Sequence, residues 1–232
     1  MAQAQWMVSS CLFAGLALGS CHPVYSSPAL RMTLVMSAII GTAYSLEPFR
    51  LKRFPLFAAL CILTVRGAVV NVGFFAHALG TCWGHSISGI QELLMLPFSN
   101  AKCGLATLFF AVFGTIIALM KDIPDIAGDR QFNIRSFTVR LGTARVFLIS
   151  RMALSALLYV TGAGILWSAA RAPFGLASLG KFAVGFSSIG SAFYGEQQAL
   201  AVDASDSKAV YTYYMYLWKI FYLAYILLPF LR

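Results

Sequence analysis

Apolar residues run in stretches of about twenty, broken by short polar loops, and this pattern decides most of what the chain can become. Of its 232 residues, 59% are hydrophobic and 11% are charged; mean hydropathy is +0.78. A bilayer offers no water to an unpaired backbone group, so apolar runs of this length must close their hydrogen bonds within helices. Strand-period alternation is absent, which excludes an outer-membrane-type barrel. The expected fold is an all-α integral membrane protein with about seven transmembrane helices. They fall near 5–20, 29–46, 55–79, 104–120, 145–168, 176–195 and 210–230, in a single domain over 1–232. Pro23 and Pro28 bracket the first turn, Pro48 ends the second span and Pro55 opens the third. Gly80, Gly84 and Gly89 mark an irregular connection, and Pro173 with Gly175 another.

The net charge of +9 does not call for nucleic acid, because the basic residues sit between the apolar runs. Arg50, Lys52 and Arg53 follow the second span. Lys121, Arg130, Arg135, Arg140 and Arg145 follow the fourth, and Lys208 follows the sixth. The opposite side carries Lys102, Arg171 and Arg232. The richer side is expected to face the cytoplasm, or its plastid equivalent, the stroma. The five cysteines are scattered and give no disulfide framework. Cys82 and His85 have ligand-like spacing, but two ligands do not make a zinc site. The chain enters its first apolar run at Trp6 with no basic region or cleavage site before it. Either the first helix is its own targeting signal, or the chain lacks its beginning.

Only 8 residues are acidic, and three of them lie in Lys121-Asp122-Ile123-Pro124-Asp125-Ile126-Ala127-Gly128-Asp129-Arg130, at the end of the fourth span. On a continuous helix, carboxylates at i, i+3 and i+7 share one face. Hard oxygen ligands so clustered suit Mg²⁺, which commonly brings phosphate oxygens with it. A solvated loop is the alternative, and Pro124 implies a bend or a fresh helical turn. The loop from Tyr44 to Arg53 anchors the positive side. If it faces the same way, Arg50, Lys52 or Arg53 can meet an anionic head group.

Arg66 and Asn71 fall inside the third span. Arg66 lies about three turns from Pro55, too deep for easy snorkelling, which favours a cavity role over a structural ion pair. At 3.6 residues per turn, Asn71 is near Arg66 but off its stripe. His77 reads as interfacial. Lys219 lies in the last span among tyrosines, able to meet a substrate carboxylate or to pair with Glu196. Seven spans with a lysine in the last also suit a retinal Schiff base. That chemistry needs a carboxylate counter-ion, and only Glu196, near a span end, is available.

These blocks resemble the UbiA-type membrane prenyltransferases, and within them the homogentisate group. Lys121 to Arg130 with Ile134-Arg135-Ser136-Phe137-Thr138 and Leu141-Gly142 is similar to the family's second aspartate-rich motif. So are Gly41 to Ser45 with Pro48, Arg50, Lys52, Arg53, Phe54 and Pro55; Thr64 to Gly67 with Asn71; and Tyr216 to Tyr222 with Leu227-Leu228-Pro229-Phe230.

The resemblance implies a nine-helix bundle with a central cavity, and Mg²⁺-dependent transfer of an allylic prenyl group from its diphosphate to an aromatic ring. With homogentisate the acceptor also loses CO₂. Phytyl transfer leads to tocopherols, solanesyl transfer to plastoquinone; the block Gly41 to Asn71 and the segment Ala201-Val202-Asp203 with Lys208 lean towards phytyl. It further implies Mg²⁺ on Asp122, Asp125 and Asp129, catalytic roles for Lys121, Arg66 and Lys219, and substrate contacts from Tyr44, Arg50, Lys52, Arg53, Asn71 and Arg130. The setting would be a thylakoid, inner-envelope or cyanobacterial-type membrane. The family's first aspartate motif is absent. The only acids before Asp122 are Glu47 and Glu92. The expectation is therefore an N-terminally incomplete form of the fold, either part of a longer enzyme or an inactive remnant.

Overall fold

Proline and small polar residues start most of the helices, and apolar runs carry them across. A computed structural model describes residues 2–21, 27–85, 87, 89–132, 134 and 136–227. Pro23, Arg135, Arg232 and the block Leu228-Pro229-Phe230 lie outside the described residues. Every described regular element is a helix. α1 is Ala2–Cys21 and α2 Pro28–Ser45; a 3-10 turn covers Leu51–Arg53. α3 (Pro55–Ile62), a π-helix (Leu63–Val69) and α4 (Val70–Trp83) run on without a break. Then come α5 (Ile90–Ser99), α6 (Ala101–Lys121), the short α7 (Ile126–Gln131) and α8 (Phe137–Leu141), α9 (Thr143–Arg171), α10 (Leu176–Leu200) and α11 (Ser207–Leu227).

Among the described residues, four helices are long and apolar enough to cross a membrane: Pro55–Trp83, Ala101–Lys121, Thr143–Arg171 and Leu176–Leu200. A shorter apolar stretch runs Trp6–Ala17. α2 and α11, with 18 and 21 residues, have spanning length but a more polar composition, Arg31 in one and Lys219 with several tyrosines in the other. The exposed side chains agree with a lipid solvent: Phe98, Phe174 and Leu176 are 86%, 87% and 90% exposed. This is an all-helical membrane protein.

The chain divides into two compact units, Met1–Leu51 with Thr64–Phe110, and Lys52–Leu63 with Ala111–Arg232. In the first, α2 packs on α4 and α4 on α5. Ala29, Val72, Ala76, Ile87, Leu96 and Cys103 form its core. Ser27 caps α2, its Oγ accepting from Leu30 N at 3.1 Å, and its hydroxyl also lies 3.0 Å from His77 Nδ1. α5 lies between the third and fourth apolar runs, where the glycines predict an irregular connection. Gly84, at φ 71°, ends α4 there, a conformation that suits glycine. Asn100 then caps α6 by accepting from Lys102 N at 3.1 Å and Cys103 N at 3.2 Å.

The second unit is built on the α9–α10 pair. Gly162 and Gly185 face each other. A Cβ on Gly162 would stand 2.7 Å from Ile189 Cγ1 and 3.0 Å from Gly185 O. Close helix backbones of this kind are how membrane helices gain contact when lipid supplies no hydrophobic drive. Ser188 Oγ donates to Leu158 O at 2.7 Å, Tyr159 Oη to Glu196 Oε2 at 3.2 Å, and Tyr213 Oη to Gly195 O at 3.3 Å. Each satisfies a polar group that hydrocarbon cannot.

Candidate functional site

Pro124 sets the local geometry of the aspartate segment. It has no N–H to give Met120, and its ring opposes a continuing helix, so α6 ends at Lys121. The chain turns through Asp122–Asp125, with Ile123 N donating to Met120 O at 3.3 Å and Ile126 N to Ile123 O at 3.4 Å. Ile123, 1% exposed, plugs the turn into the core. α7 then begins, with Asp129 N donating to Asp125 O at 2.9 Å. The carboxylate of Asp125 makes no capping bond. Ile134 N donates to Asp129 O at 2.8 Å and closes the loop.

The three aspartates therefore do not share one continuous helix face. Asp125 and Asp129 flank the first turn of α7, while Asp122 sits before the break. Asp125 is exposed; Asp122 and Asp129 are half-buried. Among the described residues, no three Asp, Glu, His or Cys groups converge as a ready metal cage. The donors present fit Mg²⁺ in its commoner mode, in which one or two carboxylates hold an ion that keeps waters and takes phosphate oxygens.

Burial pushes the Asp122 carboxyl up from 3.8 to about 6, with Lys121 pulling it down and Asp129 and Asp125 adding smaller upward pushes. The folded state holds this proton more tightly than the unfolded chain does, so stability falls as pH rises from 3.8 to about 6. Without divalent cation, Asp122→Asn is expected to raise the melting temperature above pH 6 and to leave it unchanged below 3.8. Thermal unfolding in detergent across that range checks it. A gain of equal size at every pH would contradict the buried-carboxyl account.

Lys121 and Arg130 are exposed at the two ends of the same segment. Lys52 and Arg53 are exposed in the 3-10 turn ahead of α3. A cavity of about 230 Å³ is lined by Phe54, Pro55, Leu56 and Phe57 together with Phe137 and Arg140. It joins the start of α3 to α8, the helix that follows the aspartate segment. Lys52 and Arg53 thus enter the second unit at the end where that segment lies. Tyr44 and Arg50 belong to the first unit. Arg50 has φ 37°, a strained backbone for a side-chain-bearing residue. Its Nη1 donates to Glu47 Oε1 at 3.2 Å.

Arg66 and Asn71 are joined more closely than their spacing suggested. The π-helix widens the turn, so residues five apart align. Asn71 Nδ2 donates to Arg66 O at 2.6 Å and to Gly67 O at 2.9 Å. Asn71 is buried and Arg66 half-buried. Asn71→Leu removes both donors from carbonyls in an apolar helix. It is expected to cost about 2 kcal/mol, read as a lowered melting temperature in detergent.

Lys219 is exposed on α11. Glu196, one of its two suggested partners, instead accepts from Tyr159; the suggested pairing with Lys219 is not formed. Tyr159 and Arg151 are not singled out by the sequence reading, and Arg140 figures there only as a loop charge. Arg151, a lone charge within the fifth apolar run, carried a readable signal. The cavity role of Arg140 depends on a fold contact that no motif announces.

The sequence profile of the UbiA prenyltransferase family matches residues 1–220. Homogentisate phytyltransferase of Synechocystis sp. is 36% identical over 230 residues, covering 99% of this chain and 67% of that protein. Homogentisate phytyltransferase 1, chloroplastic, of Arabidopsis thaliana is 37% identical over 211 residues, covering 90% and 49%. Homogentisate geranylgeranyltransferase of Hordeum vulgare is 38% identical over 210 residues, covering 89% and 47%. The chain thus spans about half the length of these plant relatives. No solved structure matches it. A family match over nearly the whole chain, on an all-helical membrane fold, shows that this protein belongs to the UbiA prenyltransferase family.

Proposed function

We propose that this chain serves a Mg²⁺-dependent aromatic prenyl transfer that moves a phytyl group from its diphosphate to homogentisate, with loss of CO₂. The observation that carries the reading is the segment Lys121–Arg130. Three aspartates and two flanking cations occupy an open turn and short helix at the end of a membrane span. The relatives named for homogentisate prenyl transfer support the substrate class.

Asp125 and Asp129, with Asp122 beside them, would hold the metal through one or two carboxylates. Bound Mg²⁺ would supply charge neutralisation for the departing diphosphate. Lys121, Arg130, Lys52 and Arg53 would bind phosphate oxygens, each guanidinium or ammonium giving a charge-assisted hydrogen bond; Arg50, in the first unit, is a further candidate for a phosphate. The apolar spans would accommodate the prenyl tail. Lys219 in the second unit, and Tyr44, Arg66 and Asn71 in the first, are the candidates for the acceptor, each unit being taken by itself; a cation among them can meet the homogentisate carboxylate. The excess of Lys and Arg in the loops after α2 and α6 supports a stromal or cytoplasmic orientation for the aspartate segment. A plastid or cyanobacterial-type membrane fits the origin of the relatives.

The test is a transfer assay in liposomes with homogentisate and phytyl, geranylgeranyl or solanesyl diphosphate, with Mg²⁺ or with EDTA. The expected result is Mg²⁺-dependent formation of the decarboxylated phytyl-quinol, faster than with the other donors. Transfer that survives EDTA would overturn the metal assignment. Preference for solanesyl diphosphate would overturn the donor assignment.

A further inference from the structure

A second polar feature of the second unit is carried by α9 and α10. The first three turns of α9 and the chain around the end of α10 flank an open groove of about 340 Å³. Ala144, Phe147, Leu148 and Arg151 line one side, and Leu200 and Val202 stand among those opposite. The lining is apolar apart from one guanidinium.

Arg151 is half-buried. Among the described residues no carboxylate lies within ion-pair distance of it. Glu196, the nearest acid on α10 by position, is held by Tyr159 Oη at 3.2 Å. Phe147 is fixed in turn by packing on Tyr213, with ring centroids 5.5 Å apart. The groove wall is therefore built rather than loose, and the cation in it keeps donors for a ligand.

Depth narrows what that ligand is. α9 has 29 residues, about 43 Å at 1.5 Å per residue, against a hydrocarbon core of about 30 Å. One or both ends must reach into the head-group layer. Arg151 lies about 12 Å from the start of α9, near the boundary between head groups and acyl chains. An anion with a hydrocarbon tail meets both halves of the groove at that depth: phosphate on the guanidinium, chain along Phe147, Leu148 and Leu200.

We propose that the groove between α9 and α10 binds an anionic membrane phospholipid, with Arg151 on its phosphate and an acyl chain along the apolar wall. The proposal does not rest on the prenyl-transfer reading and stands whether or not that function holds. The test is native mass spectrometry of the detergent-purified full chain titrated with phosphatidylglycerol or with diacylglycerol, which has the same chains and no phosphate, with and without inorganic phosphate. Phosphatidylglycerol should bind about tenfold more tightly, the size of one charge-assisted contact, and inorganic phosphate should not displace it. Arg151→Gln should abolish the preference. Leu148→Trp, which fills the groove and keeps the cation, should prevent retention of either lipid. An unchanged preference in Arg151→Gln, or undiminished retention in Leu148→Trp, would overturn the proposal. Displacement by inorganic phosphate would overturn the lipid as ligand and leave a simple anion site.

Discussion

Asparagine at both 125 and 129 is expected to lower Mg²⁺-dependent prenyl transfer by about a thousandfold. Each carboxylate lost to a metal or charged ligand removes about 1.5–3 kcal/mol of charge-assisted interaction. Two such losses total about 3–6 kcal/mol, or roughly 10²–10⁴ in rate or affinity at 1.4 kcal/mol per decade. Asp125→Asn and Asp129→Asn alone should each lose about ten- to a hundredfold. Asp206→Asn is the matched control: another exposed aspartate, in the loop before α11, whose carboxylate accepts only from Lys208 N at 2.9 Å. Parallel Mn²⁺ binding by electron paramagnetic resonance separates ligand loss from misfolding. If the double variant kept its rate within about threefold, the metal would have to be held elsewhere.

The largest structural effect is expected at Gly73. A Cβ there would overlap the side chain of Thr33, the residue through which α2 meets α4. Thr33 is 3% exposed, and its Oγ1 donates to Ala29 O at 2.8 Å. A β-branched side chain in a helix has little rotamer freedom, so Gly73→Ala must push the two helices apart. It should cost about 3 kcal/mol, the upper end of overpacking effects. Thr33→Gly combined with Gly73→Ala should be less damaging than the sum of the two by at least about 1 kcal/mol. Gly164 has nothing within 4 Å of its Cβ position. There the same change should be neutral or slightly stabilising, since alanine holds a helix better than glycine. Thermal unfolding of all four variants in one detergent decides between the outcomes.

Hydropathy made the helices legible because a bilayer leaves the backbone one answer. The third span was read as 55–79, and the helix runs on to Trp83, where Gly84 stops it. α5 was hidden for the opposite reason: ten residues containing Pro97, too short for a span and preceded by three glycines. The aspartate segment stood out because acids are so scarce in this chain. Its division at Pro124 was half legible, since proline announces a break without saying which aspartate falls on which side. The Arg66–Asn71 link was not legible at all. Nothing in Leu63-Thr64-Val65-Arg66-Gly67-Ala68-Val69 separates a π-turn from an α-turn, except the amide waiting at position 71.

That π-turn also has a bearing on descent. A π-helix fits one more residue into its turns than an α-helix of the same height, and here it does so without breaking the rod. Removing one residue between Leu63 and Val69 would restore regular winding and swing every later side chain of α4 by about 100°. Gly73 would leave Thr33, and Asn71 would leave the carbonyls it serves. A gap placed there in an alignment of relatives is therefore more than a bookkeeping detail. It would separate lineages whose third span presents different residues to the same neighbours.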